Sequence, residues 1–148
     1  MSSHVHASVV LIGEAGVLVR GASGAGKSSL SLALIEEAGR SGLFARLVGD
    51  DRVEILSRGN RLIARSHPAI AGWAERRGQG IVSLEHEEAA VLRLVVDMVS
   101  RDKTPRLPDS ADLTVAINGL NCPHLSLSQD KSPVENAQAV LAFMRRMG

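Results

Sequence analysis

The sequence predicts an α/β fold: one mixed β-sheet that contains a phosphate loop (P-loop) and is flanked by helices, in a single domain over residues 1–148. Three observations predict it. Residues Gly21 to Ser28 match G-x-x-x-x-G-K-S/T between an aliphatic run and a helical pattern, the strand–loop–helix context that this motif requires. Two pairs of strand-like runs are joined by glycine-bearing turns, Gly13-Glu14-Ala15-Gly16 and Ser57-Arg58-Gly59-Asn60, so hairpins make the sheet mixed rather than purely parallel. The carboxy-terminal residues read as a capped amphipathic helix, the second apolar face such a sheet needs.

Taken in order, Ala7–Ile12 and Gly16–Arg20 are β-branched and aliphatic, which suits a strand pair. Lys27–Ala38 has an apolar stripe of Leu30, Leu34 and Ile35, with Gly39 or Gly42 to end the helix. Leu43–Val48 reads as a short buried strand that stops at Gly49-Asp50-Asp51. Arg52–Leu56 and Arg61–Arg65 form the second hairpin. Pro68–Glu75 reads as a short helix with Ser66 or His67 at its cap, and Glu75–Gly80 as a charged, glycine-containing loop. Val91–Val99 is the most strand-like run, Ser100–Pro108 is loop, and Leu113–Ile117 reads as the last strand. In the final helix Ser132 is the cap, Pro133 opens the first turn and Glu135 completes a capping box; Val134, Ala137, Val140, Leu141 and Met144 form its apolar face.

Composition narrows the function. With only Phe44, Trp73 and Phe143 as aromatics, the core must be aliphatic, and stacking platforms for single-stranded nucleic acid are missing. A net charge of +1 supplies no basic field for a phosphate backbone, so no nucleic-acid partner is expected. Cys122 is alone and cannot form an intramolecular disulfide; it reads as an ordinary core or loop residue in a reducing compartment. No signal peptide or membrane-length apolar run is seen, so a cytoplasmic protein without a membrane partner is expected.

The chemistry centres on Gly21-Ala22-Ser23-Gly24-Ala25-Gly26-Lys27-Ser28. Glycines let successive N–H groups converge on phosphate oxygens, and the following helix, with Ser29 in its first turn, adds its positive end. Lys27 can reach the β- and γ-phosphates of a nucleotide, and the Ser28 hydroxyl can ligate Mg²⁺. Two places offer the acidic partner. Asp97 follows Leu92-Arg93-Leu94-Val95-Val96 in the manner of a Walker B strand, whereas Asp50 and Asp51 end the strand directly after the P-loop helix. Strands of a parallel unit present their carboxyl ends at one edge, so residue physics alone leaves both open.

Gly21–Ser28, Asp50-Asp51 and Glu75-x-Arg77-Gly78-x-Gly80, together with His6, resemble the catalytic domain of the HPr kinase/phosphorylase family, whose signature reads Glu-(Val/Ile)-Arg-Gly-Leu-Gly. The resemblance runs from about Val5 to Val99 and implies the P-loop mixed sheet of HPr kinase and PEP carboxykinase-like proteins. It implies a kinase that uses ATP and Mg²⁺ to phosphorylate a serine of HPr or an HPr-like phosphocarrier, with reversal by inorganic phosphate in many members. Asp50 would be the general base, and Asp51 a Mg²⁺ ligand with Ser28. His6 would orient or charge-balance Asp50, Glu75 would serve metal or phosphate geometry, and Arg77 would offset charge on the transferred phosphoryl group. Asp97 then becomes structural, and a homo-oligomer, hexameric in the family, is implied.

The sequence also departs from that pattern. Ala7 replaces a Gly, Arg76 a Val and Gln79 a Leu of the family motifs. No stretch here corresponds to the amino-terminal regulatory domain of longer members. The basic Pro-Gly-Arg-Asn segment linked to phosphorolysis is missing after Val99, where Lys103-Thr104-Pro105-Arg106 is the nearest basic stretch. Two rival readings are a nucleotide- or phosphate-sensing module without transfer, and a small-molecule kinase or NTPase that uses Asp97. His4, His67, His86 and His124 lack ligand spacing and are assigned no role.

Overall fold

The computed structural model describes residues 2–148. Its elements are β1 (Ser2–Val5), β2 (Ala7–Ile12), β3 (Ala15–Gly21), α1 (Lys27–Arg40), β4 (Ala45–Gly49), β5 (Val53–Arg58), β6 (Arg61–Arg65), β7 (Trp73–Arg76), β8 (Gly80–Ser83), β9 (Ala89–Val99), β10 (Thr114–Ile117), β11 (Leu120–Ser128) and α2 (Pro133–Met147). The main sheet runs β1-β5-β6-β9-β3-β2-β4, and β11 joins β9 beside β6. β3 and β11 are both parallel to β9, whereas β2 is antiparallel to β3 and to β4. The sheet is therefore mixed, as expected. β3, β4, β9 and β11 share one direction, so their carboxyl ends meet at one edge, which is where the P-loop begins and where Asp50 and Asp97 lie.

Period-two alternation builds two cores. Val10, Ile12, Val17, Val19, Leu94, Val96 and Met98 face the helices and pack with Leu30, Leu34, Val140 and Leu141. The interleaved Val9, Leu18 and Val95 face the other way and join Val48, Val53, Ile55, Leu62 and Cys122, so the two halves of the sheet enclose a second core. Both are aliphatic: Trp73 and Phe44 are exposed, and Phe143 only flanks the first core. Among the described residues no helix is long and apolar enough to cross a membrane.

Several boundaries differ from the expectation. α1 runs on to Arg40 and is closed by Gly42, whose φ of 78° is the left-handed conformation a chain reversal needs there. Pro68–Glu75 is not a helix: only Pro68–Ile70 forms a 3₁₀ turn, capped by the His67 ring, which accepts from the Ala69 N–H at 3.1 Å. The expected Glu75–Gly80 loop is the tip of the two-stranded β7–β8 hairpin. Leu113–Ile117 is not the last strand, because Asn118-Gly119, both at positive φ, turn the chain into β11. At the final helix Ser132 accepts from the Glu135 N–H at 3.1 Å, as expected of a cap, but Val134 lies exposed rather than on the apolar face.

Candidate active site

The P-loop leaves β3 at Gly21, where a Cβ would crowd those of Met98 and Ala25 at 3.0 and 3.1 Å, so a larger residue would have to push them aside. Gly24 and Gly26 take φ of 82° and 96°, and the Ala25 N–H donates to the Ala22 carbonyl, closing the loop. No side chain caps α1 and its first turn holds no acidic residue, so its leading N–H groups and positive end face the loop. Lys27 is buried, and its ammonium donates to the carbonyls of Gly21 and Ala22 at 3.1 and 3.3 Å.

Asp50 stands against this loop. Its Oδ1 accepts from the Ser28 hydroxyl at 2.7 Å and from the Ser8 hydroxyl at 2.8 Å, and its Oδ2 accepts from the Glu75 N–H at 3.1 Å. Asp51 follows at a φ of 62° with its side chain 68% exposed and its Oδ1 3.8 Å from the Lys27 ammonium. One pocket of about 340 Å³ is lined by Ser23, Gly24, Gly26, Lys27, Ser28, Ser29, Asp50, Asp51, Glu75 and Arg77. Gly21, Ala22 and Ala25 of the motif are not among its lining residues. The β7–β8 hairpin brings Glu75 and Arg77 to the pocket; Ala74 packs with Leu32 and Leu47, and Arg76 reaches Glu36 of α1 at 3.0 Å. A polar residue at the position of a family Val is thus a tether that helps seat the hairpin.

Three placements differ from the sequence reading. His6 sits exposed at the bend between β1 and β2 and does not line the pocket; the side chain that reaches Asp50 from this segment is Ser8, fully buried. Ser28, expected to share a metal ion with Asp51, donates its hydroxyl to Asp50. His124, assigned nothing, joins Asp97. Arg20 clasps the Asp97 carboxylate through Nε and Nη2, both at 2.8 Å, and His124 Nε2 lies 2.7 Å from its Oδ2. Burial pushes the Asp97 carboxyl up, but Arg20 and His124 more than offset it, leaving the group below the ordinary carboxylate value. Asp97 is not among the residues lining the pocket. Burial also pushes the Cys122 thiol up to about 11, which suits an inert core residue.

A larger cavity, about 1000 Å³, opens beside β5 and the 3₁₀ turn and is lined by Arg52, Val53, His67 and Ile70 among others. It does not include the P-loop.

Fold and site together define a mixed α/β domain in which a glycine-rich loop opposes a carboxylate pair. The chain belongs to the family described as HPr Serine kinase C-terminal domain, which matches residues 1–125, beyond the Val5–Val99 stretch that the motifs cover. It is 33% identical to the HPr kinase/phosphorylase of Mycoplasma pneumoniae over 108 residues, covering 68% of this chain and 33% of that protein. The corresponding protein of Neisseria meningitidis serogroup C is 35% identical over 109 residues, covering 68% and 32%. That of Mycoplasma mycoides is 40% identical over 79 residues, covering 53% and 23%. The aligned stretches thus span a third or less of these curated relatives. Among solved structures, the Hpr(Ser) kinase/phosphatase from Coxiella burnetii superposes with a TM-score of 0.78 at 26% identity, covering 98% of both chains.

Proposed function

We propose that this chain is an ATP- and Mg²⁺-dependent protein-serine kinase whose acceptor is HPr or an HPr-like phosphocarrier. One observation carries the reading: Lys27, Ser28, Asp50, Asp51, Glu75 and Arg77, drawn from three separate segments, line a single pocket at the open end of α1. Phosphoryl transfer is mostly positioning and charge neutralisation, and this set supplies both. The acceptor serine oxygen bonds to the γ-phosphorus as the bond to the β–γ bridging oxygen breaks. ADP leaves, and the serine proton passes to an aspartate carboxylate. Lys27 and the first-turn N–H groups hold phosphate oxygens, and Arg77 balances the charge of the moving group.

The donor set fits Mg²⁺. Ser28, Asp50, Asp51 and Glu75 offer hard oxygen ligands, and this ion takes one or two carboxylates with substrate phosphates rather than a protein cage. Among the described residues no group of three or more His, Cys, Asp or Glu side chains is placed to hold a metal by itself, so nucleotide phosphates and water would have to complete the shell. When bound, the ion would neutralise phosphate charge. By resemblance Asp50 is the base and Asp51 the ligand beside Ser28. The 2.7 Å bond between Ser28 and Asp50 favours the reverse division, in which Asp50 and Ser28 hold the metal and Asp51 faces the acceptor. Asp50→Asn separates the two: as base it abolishes transfer and spares Mg²⁺-nucleotide affinity, as ligand it lowers both.

Incubation of the protein with labelled ATP, Mg²⁺ and purified HPr-like acceptors, with mass spectrometry of the product, tests the reading. Phosphoserine on the acceptor supports it. Bound ATP without transfer to any of them would favour a nucleotide-sensing module instead. Release of pyrophosphate from phosphoserine-HPr and inorganic phosphate would add the reverse reaction, and sedimentation would test the homo-oligomer, a hexamer by resemblance.

A further inference from the structure

Ser8 has no counterpart in a phosphate-loop motif, yet it is fully buried and joined to both site aspartates. Its hydroxyl donates to Asp50 Oδ1 at 2.8 Å and accepts from the Asp51 N–H at 3.1 Å. The strand register explains why it can. β2 and β4 pair as Val10 with Leu47 and then Val9 with Gly49, so Val48 is an extra residue in β4. Without that bulge Ser8 would stand opposite Gly49; with it, Ser8 stands opposite Asp50. Ser8 also alternates with Val10 and Ile12 on the face packed against α1, the face on which Ser28 approaches.

The bonding of Asp50 gives this contact its consequence. Oδ1 receives two hydroxyls, from Ser8 and Ser28, and Oδ2 receives the Glu75 N–H. A metal ion held by Ser28 would take a lone pair of its oxygen, so the Ser28 donation to Asp50 would be shared with that role. Ser8 and the Glu75 N–H are the donors to Asp50 that a metal at Ser28 would not engage. The same Ser8 oxygen anchors the Asp51 amide, and Asp51 holds a left-handed φ of 62° that costs a non-glycine residue free energy and needs outside support.

We propose that Ser8 is a positioning residue for phosphoryl transfer, a single buried hydroxyl that orients Asp50 and holds Asp51 in its left-handed turn. It acts through the two aspartates and touches neither nucleotide nor acceptor. This inference rests on the kinase reading, but part of its test does not.

The test compares Ser8→Ala, Ser8→Thr and Ser8→Val with wild type. Thr and Val match in shape and differ by the hydroxyl, so the pair separates the hydrogen bond from added volume; Ala removes the hydroxyl without adding any. With HPr-like acceptor, Ala and Val are expected to lower kcat about tenfold or more, as loss of a hydrogen bond to a charged group does. ATP affinity measured without Mg²⁺ stays near wild type, and Thr restores kcat. Hydrogen exchange of the Asp51 amide is expected to be faster in Ala and Val than in wild type and Thr. Unchanged kcat and unchanged Asp51 protection in Ser8→Ala would overturn the proposal. So would equal impairment of Thr and Val beside a normal Ala, which would assign the effect to volume. If wild type transfers no phosphate, the kinase reading fails, and Asp51 exchange alone decides whether Ser8 positions the turn.

Discussion

Two carboxylates stand at the same edge of one sheet, Asp50 after β4 and Asp97 near the end of β9, and they are held in opposite ways. Asp50 is bound by neutral donors: two hydroxyls and a backbone N–H. Asp97 is bound by the two-pronged Arg20 guanidinium and by His124. Neutral donors orient a carboxylate and leave its charge to act on something else. A guanidinium consumes that charge, and the result is a brace between β3, β9 and β11 beside the start of the P-loop. Position at a strand end alone does not distinguish the two; under the proposed function, the charge of their partners assigns the chemistry to Asp50 and leaves Asp97 structural.

This contrast can be pressed at both ends. Outside the two aspartates, the largest effect is expected in the P-loop, where Lys27→Ala removes the buried ammonium. Transfer to the acceptor should fall on the order of 10²-fold, the loss typical of one charge-stabilising donor. Steady-state kinetics with labelled ATP would read it, and transfer within a few-fold of wild type would mean the pocket is not where phosphate is held. Next, Asp97→Asn leaves Arg20 facing an amide and should lower stability by about 1–3 kcal/mol, measured by urea unfolding. A variant as stable as wild type would show the brace to be idle.

The pH dependence has a definite sign. Because the Asp97 carboxyl is held below its ordinary value when folded, its stabilisation is present above the unfolded carboxylate value of about 4 and is lost as pH falls through the lower folded value. Stability of the wild type should therefore drop more than that of Asp97→Asn below about pH 4. Parallel loss in the two would remove Asp97 from the acid response. The smallest effect concerns Cys122: a buried thiol raised to about 11 should react with a thiol reagent at neutral pH only as the protein unfolds. Rapid labelling of the native chain would contradict the burial.

Much of this site was legible in the sequence, and the rest was hidden for physical reasons. The strand–P-loop–helix unit was readable because its glycines and its lysine carry local chemistry, and both hairpin turns carry glycine. β1 was missed because Ser2–Val5 is an edge strand that alternates between exposed and partly buried residues without an apolar face. β11 was missed because Pro123 and His124 interrupt its pattern, although Asn118-Gly119 is a hairpin signal that could have found it. Pro123 is tolerated where β11 pairs only with β10, before its pairing with β9 begins at His124. The contact of Ser8 with Asp50 depends on a bulge at Val48, and no local pattern announces a bulge. His6 drew attention through family resemblance, whereas the residue that reaches the aspartate lies two positions on. Asp97 stayed ambiguous because its partners, Arg20 and His124, are distant in sequence.

The most direct test of the account is labelled-phosphate transfer from ATP to an HPr-like acceptor by wild type, Asp50→Asn and Asp97→Asn side by side. Folding of each would be checked by its unfolding transition. Transfer by wild type, a loss of about 10²–10⁴-fold in Asp50→Asn, and transfer within a few-fold of wild type in folded Asp97→Asn are expected. Full activity in Asp50→Asn with none in folded Asp97→Asn would contradict the account and move the chemistry to β9.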